Sequence, residues 1–357
     1  MKHRPIGKTG VNIPPIIFGT SALGNLYSAL RNETKTNIVK ECLSNVPKPV
    51  VFDSAGKYGA GLALEKLGEI LQDLNVDPGD IIISNKLGWL REPLSASVSE
   101  PTFEKGVWID IKNDARQYIS YEGILDCWEQ GNVLLGCRFK PQLVSVHDPD
   151  EYLNTARNDE EFKKLFRDII DAYKALADLK SQGKVKAIGV GAKNWKTIQL
   201  ITNEVDLDWV MFANSMTIYR HPKDLLDFME RLHVKGVSII NSAVFHAGFL
   251  TGGDFFDYVS IKPDSAENRA KFKWREDFFT ICKKHGVVPA NACVQFAMTP
   301  PGVISISLNT SNPGRVKNNA ESIECKIPAG FWRDMVRKKL IDNDYPYLLS
   351  ILHSENK

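Results

Sequence analysis

The chain has 357 residues, of which 43% are hydrophobic and 25% charged, with a formal net charge of +2. That length fits one large α/β barrel with insertions, and the charge balance lacks the clustered basic surface of a nucleic-acid binder. No apolar run reaches the length of a membrane span, and the opening Met1-Lys2-His3-Arg4-Pro5 has no signal core, so a cytoplasmic protein with no membrane or nucleic-acid partner is expected.

Residues 4–13 alternate around Lys8-Thr9-Gly10 and predict a small hairpin ahead of the main fold. Residues 16–20 form an all-apolar strand of the type covered on both faces. Helical spacing follows over 34–45, then a strand over 50–53, a helix over 61–74 and a strand over 81–86. Residues 88–121 break this rhythm with Trp89, Trp108, Tyr118 and Tyr121 among Pro, Ser and charged residues. A long connection at that point reads as a substrate-covering loop. A helix over 123–136 and a strand over 142–147 come next. The clearest helix is 160–182, with Phe162, Leu165, Phe166, Ile169, Ile170, Tyr173, Leu176 and Leu179 at three- and four-residue steps. Strand and helix then alternate four more times: 185–190 with 195–205, 209–213 with 224–234, 237–241 with 269–285, and 303–307 with 313–320. Eight such units predict a (β/α)8 TIM barrel. The expected organisation is a single domain over 1–357, with an N-terminal hairpin, a long active-site loop after strand 3 and a C-terminal helical extension over 323–357. That extension carries helical pieces over 331–339 and 346–353. Six cysteines (42, 127, 137, 282, 293 and 325) include no CxxC pair and are expected to be reduced.

Three of these strands end in ionisable groups: Asp53 with Tyr58 five residues on, Lys86, and His147. In a parallel barrel those C-terminal ends converge on the face where chemistry is done. A free Tyr deprotonates near pH 10, too high for a base at neutral pH. A neighbouring ammonium favours the phenolate, and a carboxylate behind it keeps that Lys charged. Bringing the phenol down to about 8 takes roughly 3 kcal/mol, within reach of one close Lys in a partly desolvated site. His147 suits a donor that orients a substrate oxygen. Such a set fits proton transfer coupled to hydride transfer. No His/carboxylate cluster has metal-ligand spacing, so no metal is expected.

Together these residues resemble the aldo-keto reductase superfamily. Phe52-Asp53-Ser54-Ala55-Gly56-Lys57-Tyr58-Gly59 matches its Asp-Thr-Ala-x-x-Tyr-Gly signature, Leu64-Glu65-Lys66-Leu67-Gly68 the Glu-x-x-Leu-Gly that follows, and Ser84-Asn85-Lys86 and Val146-His147 the Lys and His segments. The resemblance implies a catalytic tetrad of Asp53, Tyr58, Lys86 and His147, and a nicotinamide dinucleotide bound without a Rossmann fold. No strand-linked GxGxxG is present, in agreement with that. Gly19-Thr20-Ser21-Ala22-Leu23-Gly24-Asn25-Leu26-Tyr27, His147-Asp148-Pro149-Asp150, Ile188-Gly189-Val190-Gly191-Ala192 and Asn241-Ser242-Ala243-Val244-Phe245 look like its sugar-oxidising branch, which includes L-fucose (D-threo-aldose) 1-dehydrogenase and L-galactose dehydrogenase.

The family's phosphate-end motif, Lys-Ser-x-x-x-x-Arg-x-x-x-Asn, falls on Asn309-Thr310, Arg315 and Asn319. The Lys that pairs with the 2′-phosphate of NADP is replaced by neutral Asn309. Losing one charge-assisted contact costs on the order of 1.5–3 kcal/mol, about one to two decades of preference. The resemblance therefore leans toward NAD, with Arg315 keeping NADP open. It also places Gly19, Thr20, Ser242, Gly248, Leu250, Asn318 and Asn319 against the cofactor. The pair that usually holds the nicotinamide amide appears as Gly191-Ala192, which leaves Asn214 and Asn241 as candidates for that contact. For the substrate, Tyr27, Trp89, Phe245 and Trp108 are expected to pack on an apolar sugar face, with Asn25 and His246 as polar readers. The expected activity is oxidation of an aldose at C1 to a lactone, with Tyr58 as base and its pKa lowered by Lys86. The alternatives are an NADPH-dependent aldehyde or ketone reductase using the same tetrad, and a cofactor-binding subunit without turnover. A monomer or small homo-oligomer is expected.

Overall fold

The computed structural model describes residues 1–95, 98 and 100–348. Its strands in chain order are β1 (Arg4–Pro5), β2 (Asn12–Ile13), β3 (Ile16–Gly19), β4 (Val50–Ala55), β5 (Ile81–Leu87), β6 (Trp89–Pro93), β7 (Asn113–Gln117), β8 (Leu143–His147), β9 (Ala187–Ala192), β10 (Trp209–Ala213), β11 (Ser238–Ser242), β12 (Phe255–Phe256), β13 (Val259–Ser260) and β14 (Val303–Leu308). Eight of them, β3, β4, β5, β8, β9, β10, β11 and β14, close into an all-parallel barrel in sequence order. The remaining six form three antiparallel hairpins, β1–β2, β6–β7 and β12–β13.

The helices are α1 (Asn32–Asn45), α2 (Leu62–Asp73), α3 (Tyr121–Leu134), α4 (Pro149–Leu153), α5 (Asp159–Ser181), α6 (Trp195–Glu204), α7 (Lys223–Lys235), α8 (Ala266–His285), α9 (Pro289–Ala297), α10 (Val316–Ser322) and α11 (Ala329–Arg337). Helix α5 shows why they form. Asn158 caps it by accepting from Glu161 N–H, three acidic residues fill its first turn, and Lys180 stands in its last. Its stripe of Ile169, Tyr173, Leu176 and Leu179 is buried against the barrel, worth about 1.5–3 kcal/mol per large apolar side chain. None of the described helices is long and apolar enough to cross a membrane.

Inside the barrel, Ile17, Val51, Ile82, Leu143, Ala187, Trp209, Met211 and Ile240 form an apolar layer with Ile6 and Ile13 of the N-terminal hairpin. Gly189 makes room for the Trp209 indole, because a Cβ there would come within 2.2 Å of the ring. The hairpin stoppers the lower end, with Ile6 and Ile13 fully buried.

Three features depart from the expected pattern. Residues 88–121, anticipated as an irregular loop, contain the β6–β7 hairpin, whose five-residue register pairs Trp89 with Gln117 and Pro93 with Asn113. Helix α9 and the β12–β13 hairpin gave no periodic signal: one is nine residues long and starts at a proline, the other has two-residue strands. At the C-terminus, the piece expected over 331–339 is α11. The piece expected over 346–353 opens as a 3₁₀ turn at Pro346–Leu348, and its remainder lies outside the described residues.

Candidate active site

Strand parity builds the site. Residues two apart on a strand share a face, so the inward positions Val51, Ile82 and Leu143 continue upward as Asp53, as Ser84 and Lys86, and as Ser145 and His147. Register places Asp53 beside Ser84 and His147 beside Gly191. Asp53 accepts from Ser84 Oγ at 2.9 Å with one oxygen and from Lys86 Nζ with the other. All three side chains are buried. Gly191 backs the lysine stem: a Cβ there would stand 3.6 Å from Lys86 Cδ, in ordinary van der Waals contact.

Tyr58 leaves the chain at a turn beyond β4, where its N–H donates to Ala55 O at 3.1 Å. Gly59 follows at φ +61°, and a Cβ on it would lie 2.3 Å from Gly24 O. Two glycine backbones in contact thus fix where the phenol emerges. Lys86 Nζ lies 4.9 Å from the Tyr58 ring centre, and His147 meets that ring edge-on at 5.5 Å. The structure brings Asp53, Tyr58, Lys86 and His147 together.

Electrostatics overturn one expectation. Burial raises the Tyr58 pKa above the ordinary phenol value, outweighing the downward pull of Lys86, while Asp53 and Asp148 add to the rise. Desolvation wins because the phenolate, like any buried anion, loses more hydration than one already paired ammonium returns. Lys86 keeps its proton: burial disfavours its charge, but Asp53 and Tyr58 hold its pKa above the usual lysine value. Burial, followed by the charges of Lys86 and Lys57, pushes His147 well below the usual histidine range, so its imidazole is neutral at physiological pH. His147 Nε2 stands 3.5 Å from Asp148, and its Nδ1 is buried without a hydrogen-bond partner among the described residues.

The motif position before Tyr58 carries a second charge cluster. Lys57 Nζ is buried and reaches Glu151 at 2.7 Å, Glu104 at 2.8 Å and Asp148 at 3.7 Å. Burial opposes its charge, but those three carboxylates together hold its pKa above the lysine value. Glu104 belongs to the 88–121 insert and also accepts from Trp108 Nε1 at 2.7 Å. The Trp108 ring packs 5.8 Å from that of Tyr58. The insert therefore lies against the phenol and is held there by Lys57.

Several sequence candidates have other work. Asn25 does not read substrate: its amide donates to Ile109 O at 2.9 Å and accepts from Leu30 N–H at 3.3 Å, fastening the insert. His246 is fully buried between Thr217 Oγ1 at 2.8 Å and Asp257 at 2.5 Å, and stacks on Phe256. It anchors the β12–β13 hairpin and has no free nitrogen for a ligand. Asn241 alternates with inward Ile240, so it faces the helix layer and donates to Ala297 O at 2.7 Å. Trp89 packs against Lys57 and Phe103. Tyr27 stacks on Phe255 at 5.1 Å near the rim, and Phe245 is half-buried against the core.

The residues expected at the dinucleotide are arrayed on the adjoining rim. Asn214 stands beyond β10 at φ +59°, buried, with its Oδ1 lacking a partner among the described residues. Ser242 Oγ donates to Phe212 O at 3.1 Å. Gly248 has φ +96°, and Leu250 is buried beneath it. Asn309 Nδ2 donates to Ser21 Oγ at 2.7 Å, and its Cβ closes on Gly19, next to Thr20, whose Oγ1 donates to Asp53 O. Thr310 Oγ1 donates to Asn312 O, Asn318 and Arg315 are exposed, and Asn319 is half-buried. A buried, unpartnered amide oxygen after β10, with exposed amides and one guanidinium after β14, offers groups suited to a nicotinamide dinucleotide.

Sequence reasoning missed Lys57, Asp148, Lys193 and Tyr258 near this site. Lys57 and Asp148 lay within quoted motifs and could have been found there. Tyr258, in a six-residue hairpin, had no signal.

Comparison with known proteins agrees with this geometry. The chain is 26% identical to pyridoxal 4-dehydrogenase of Microbacterium luteolum over 95% of its length and 98% of the relative's. It is 25% identical to D-threo-aldose 1-dehydrogenase of a Pseudomonas species, over 93% and 96%, and 22% identical to L-galactose dehydrogenase of Arabidopsis thaliana, over 90% and 87%. Among solved structures, the holo form of an aldo-keto reductase from Bacillus halodurans superposes with a TM-score of 0.68 at 16% identity, covering 96% of this chain and 97% of the other. The model of the Aldo/keto reductase family matches residues 15–339, nearly the whole barrel, and the chain belongs to that family of nicotinamide-dependent oxidoreductases acting on CH–OH groups.

Proposed function

We propose that the protein is an aldose 1-dehydrogenase of the L-fucose (D-threo-aldose) type, oxidising the anomeric carbon to a lactone with NAD, in a single barrel domain whose 88–121 insert covers the substrate. The observation that carries this reading is the Tyr58 phenol set between the Asp53–Lys86 pair and neutral His147, in a chain alike over nearly its full length to sugar and pyridoxal dehydrogenases.

In this reading Tyr58 takes the proton of the anomeric hydroxyl. His147 donates a hydrogen bond to the same oxygen, and Lys86, kept charged by Asp53, stabilises the phenolate. A bound nicotinamide would supply the hydride-accepting chemistry for C1. Asn214 would hold the carboxamide, Gly19, Thr20, Ser242, Gly248 and Leu250 would line the pyrophosphate, and Asn309, Thr310, Arg315, Asn318 and Asn319 the adenylate end. Neutral Asn309 favours NAD over NADP. The six cysteines are free thiols, in keeping with a reducing cytoplasm.

The raised phenol pKa favours a second reading, an NADPH-dependent aldehyde or ketone reductase with Tyr58 as proton donor, since the protonated form is the resting one. Incubation with NAD and L-fucose, D-arabinose or L-galactose should build up the absorbance of reduced nicotinamide, and Tyr58→Phe should abolish it while leaving dinucleotide affinity within about twofold. Inertness toward all three sugars, with NADPH bound far more tightly than NADH and aldehydes reduced, selects the reductase.

A further inference from the structure

A tyrosine beside Tyr58 stands in a backbone conformation its side chain disfavours, and an aspartate beside His147 adopts the left-handed region. The β12–β13 hairpin turns on two residues, Asp257 at φ +48° and Tyr258 at φ +72°. A two-residue turn with both φ values positive selects Asn-Gly or Asp-Gly; a tyrosine at its second position is strained by roughly 1 kcal/mol. The turn is held regardless, by His246 and Arg220 on Asp257, by Tyr27 stacked on Phe255, and by Tyr27 Oη donating to Tyr258 O at 3.4 Å. Asp148, directly after His147, stands at φ +45° with its N–H donating to Gly191 O at 3.1 Å. Strain retained at Tyr258 points to what that side chain does there.

Each of these side chains has unused hydrogen-bonding capacity. The Tyr258 hydroxyl has no hydrogen-bond partner among the described residues. Among the described residues the Asp148 carboxylate pairs with His147 Nε2 at 3.5 Å and Lys57 Nζ at 3.7 Å, both beyond good hydrogen-bond length. Lys193 Nζ, 5.3 Å from the Tyr258 ring centre, holds Glu151 at 2.5 Å and keeps two further donor protons. Asp148 and Tyr258 each couple electrostatically to Tyr58 and to one another, and both couple to Lys193. An acceptor, a donor and a hydroxyl that serves as either thus meet from three loops beside the reacting phenol. By contrast Lys57 is buried and already holds two carboxylates at hydrogen-bond distance, Glu151 at 2.7 Å and Glu104 at 2.8 Å.

We infer that Asp148, Lys193 and Tyr258 form a polar subsite that reads a substrate hydroxyl adjacent to the reacting carbon, so that the enzyme selects α-hydroxy carbonyl compounds and sugars over plain aldehydes. The inference rests on the oxidoreductase reading of Tyr58 but not on the identity of the sugar. Tyr258 is 38% exposed at the rim, where a substrate can reach it, and partial desolvation by its neighbours holds its pKa above that of a free phenol, so the hydroxyl is protonated at physiological pH.

The test compares reduction of D-glyceraldehyde and propanal, equal in carbon number and different in their hydroxyls. The wild-type protein should prefer glyceraldehyde in kcat/KM by tenfold or more, about the worth of one well-made hydrogen bond or better. Tyr258→Phe should lower that preference about tenfold through KM for glyceraldehyde, with propanal kinetics and dinucleotide Kd unchanged; Asp148→Asn should lower it as well, while also changing the pH profile on both aldehydes through Tyr58. Lys193→Met serves as a third variant should either of these fold poorly. A wild-type ratio near one, equal losses on both aldehydes, or turnover of neither would overturn the subsite. Inertness toward L-fucose, D-arabinose and L-galactose beside an intact, Tyr258-dependent glyceraldehyde preference would remove the aldose reading and support the subsite.

Discussion

Replacing Lys86 by Met separates what the buried ion pair does for folding from what it does for chemistry. The change keeps the aliphatic stem and removes the charge, leaving the buried Asp53 carboxylate with Ser84 Oγ at 2.9 Å as its side-chain donor. Stranding one member of a buried pair costs about 3–5 kcal/mol. In a chain of 357 residues each kcal/mol moves Tm by a little over about 1 °C, so the expected fall in Tm is roughly 4–7 °C. The double variant Asp53→Asn with Lys86→Met leaves no stranded charge and should recover most of that loss. Its turnover should not recover, because the phenol then has no ammonium beside it; proton-transfer groups of this kind contribute about 10²–10⁴ in rate. Differential scanning calorimetry and steady-state turnover on both variants make the measurement. Should Lys86→Met melt within about 2 °C of wild type, or the double variant melt no higher than the single, the Asp53–Lys86 pair is not a buried ion pair and the electrostatic account of Tyr58 fails.

The signs of the pKa shifts fix the pH behaviour. Tyr58 is raised above its free value near pH 10, so it contributes stability fully below that pH, and oxidation, which needs the phenolate, should still be accelerating at about pH 9. Because His147 is lowered, its stabilising effect is complete above about pH 6.5 and fades as pH falls through its folded value. Profiles of kcat/KM in the reductive direction should accordingly show no acid limb centred near about 6.5. Gly59→Ala places a Cβ at φ +61° against Gly24 O and should destabilise by about 2–4 kcal/mol in urea unfolding, with turnover falling in parallel; retention of both would mean the turn is free to shift. Asn309→Lys should move the ratio of dinucleotide affinities toward the 2′-phosphorylated form by about 10–100-fold, measured by fluorescence titration, and an unchanged ratio would remove Asn309 from the adenylate end.

The barrel was legible because its strands announce themselves. Val50-Val51 before Asp53 and the Ile81–Ile83 run before Lys86 are apolar on both faces until the final residues, as strands buried between a core and a helix layer must be. The spacing of Asp53, Tyr58, Lys86 and His147 was equally plain, since each follows directly from a strand end. What sequence could not supply was desolvation. Neighbouring charge is visible in a motif, whereas the depth of Tyr58 is a property of the folded insert, and depth decided the sign of its shift. Side-chain direction off regular structure was likewise hidden. His246 lies among Ala243, His246 and Ala247, all at positive φ, where neither helical nor strand periodicity says which way a ring will point. Asn241 was misplaced by one residue of parity, since Ile240 beside it occupies the inward face.

The apolar floor made by Ile6, Ile13 and the lower strand residues has a consequence for traffic. It leaves the Lys86 ammonium no wet route beneath it, so protons entering or leaving the centre must pass over the rim occupied by Tyr58, Trp108 and Tyr258. Whatever sits in that doorway, substrate included, sets how quickly the phenol is recharged between turnovers.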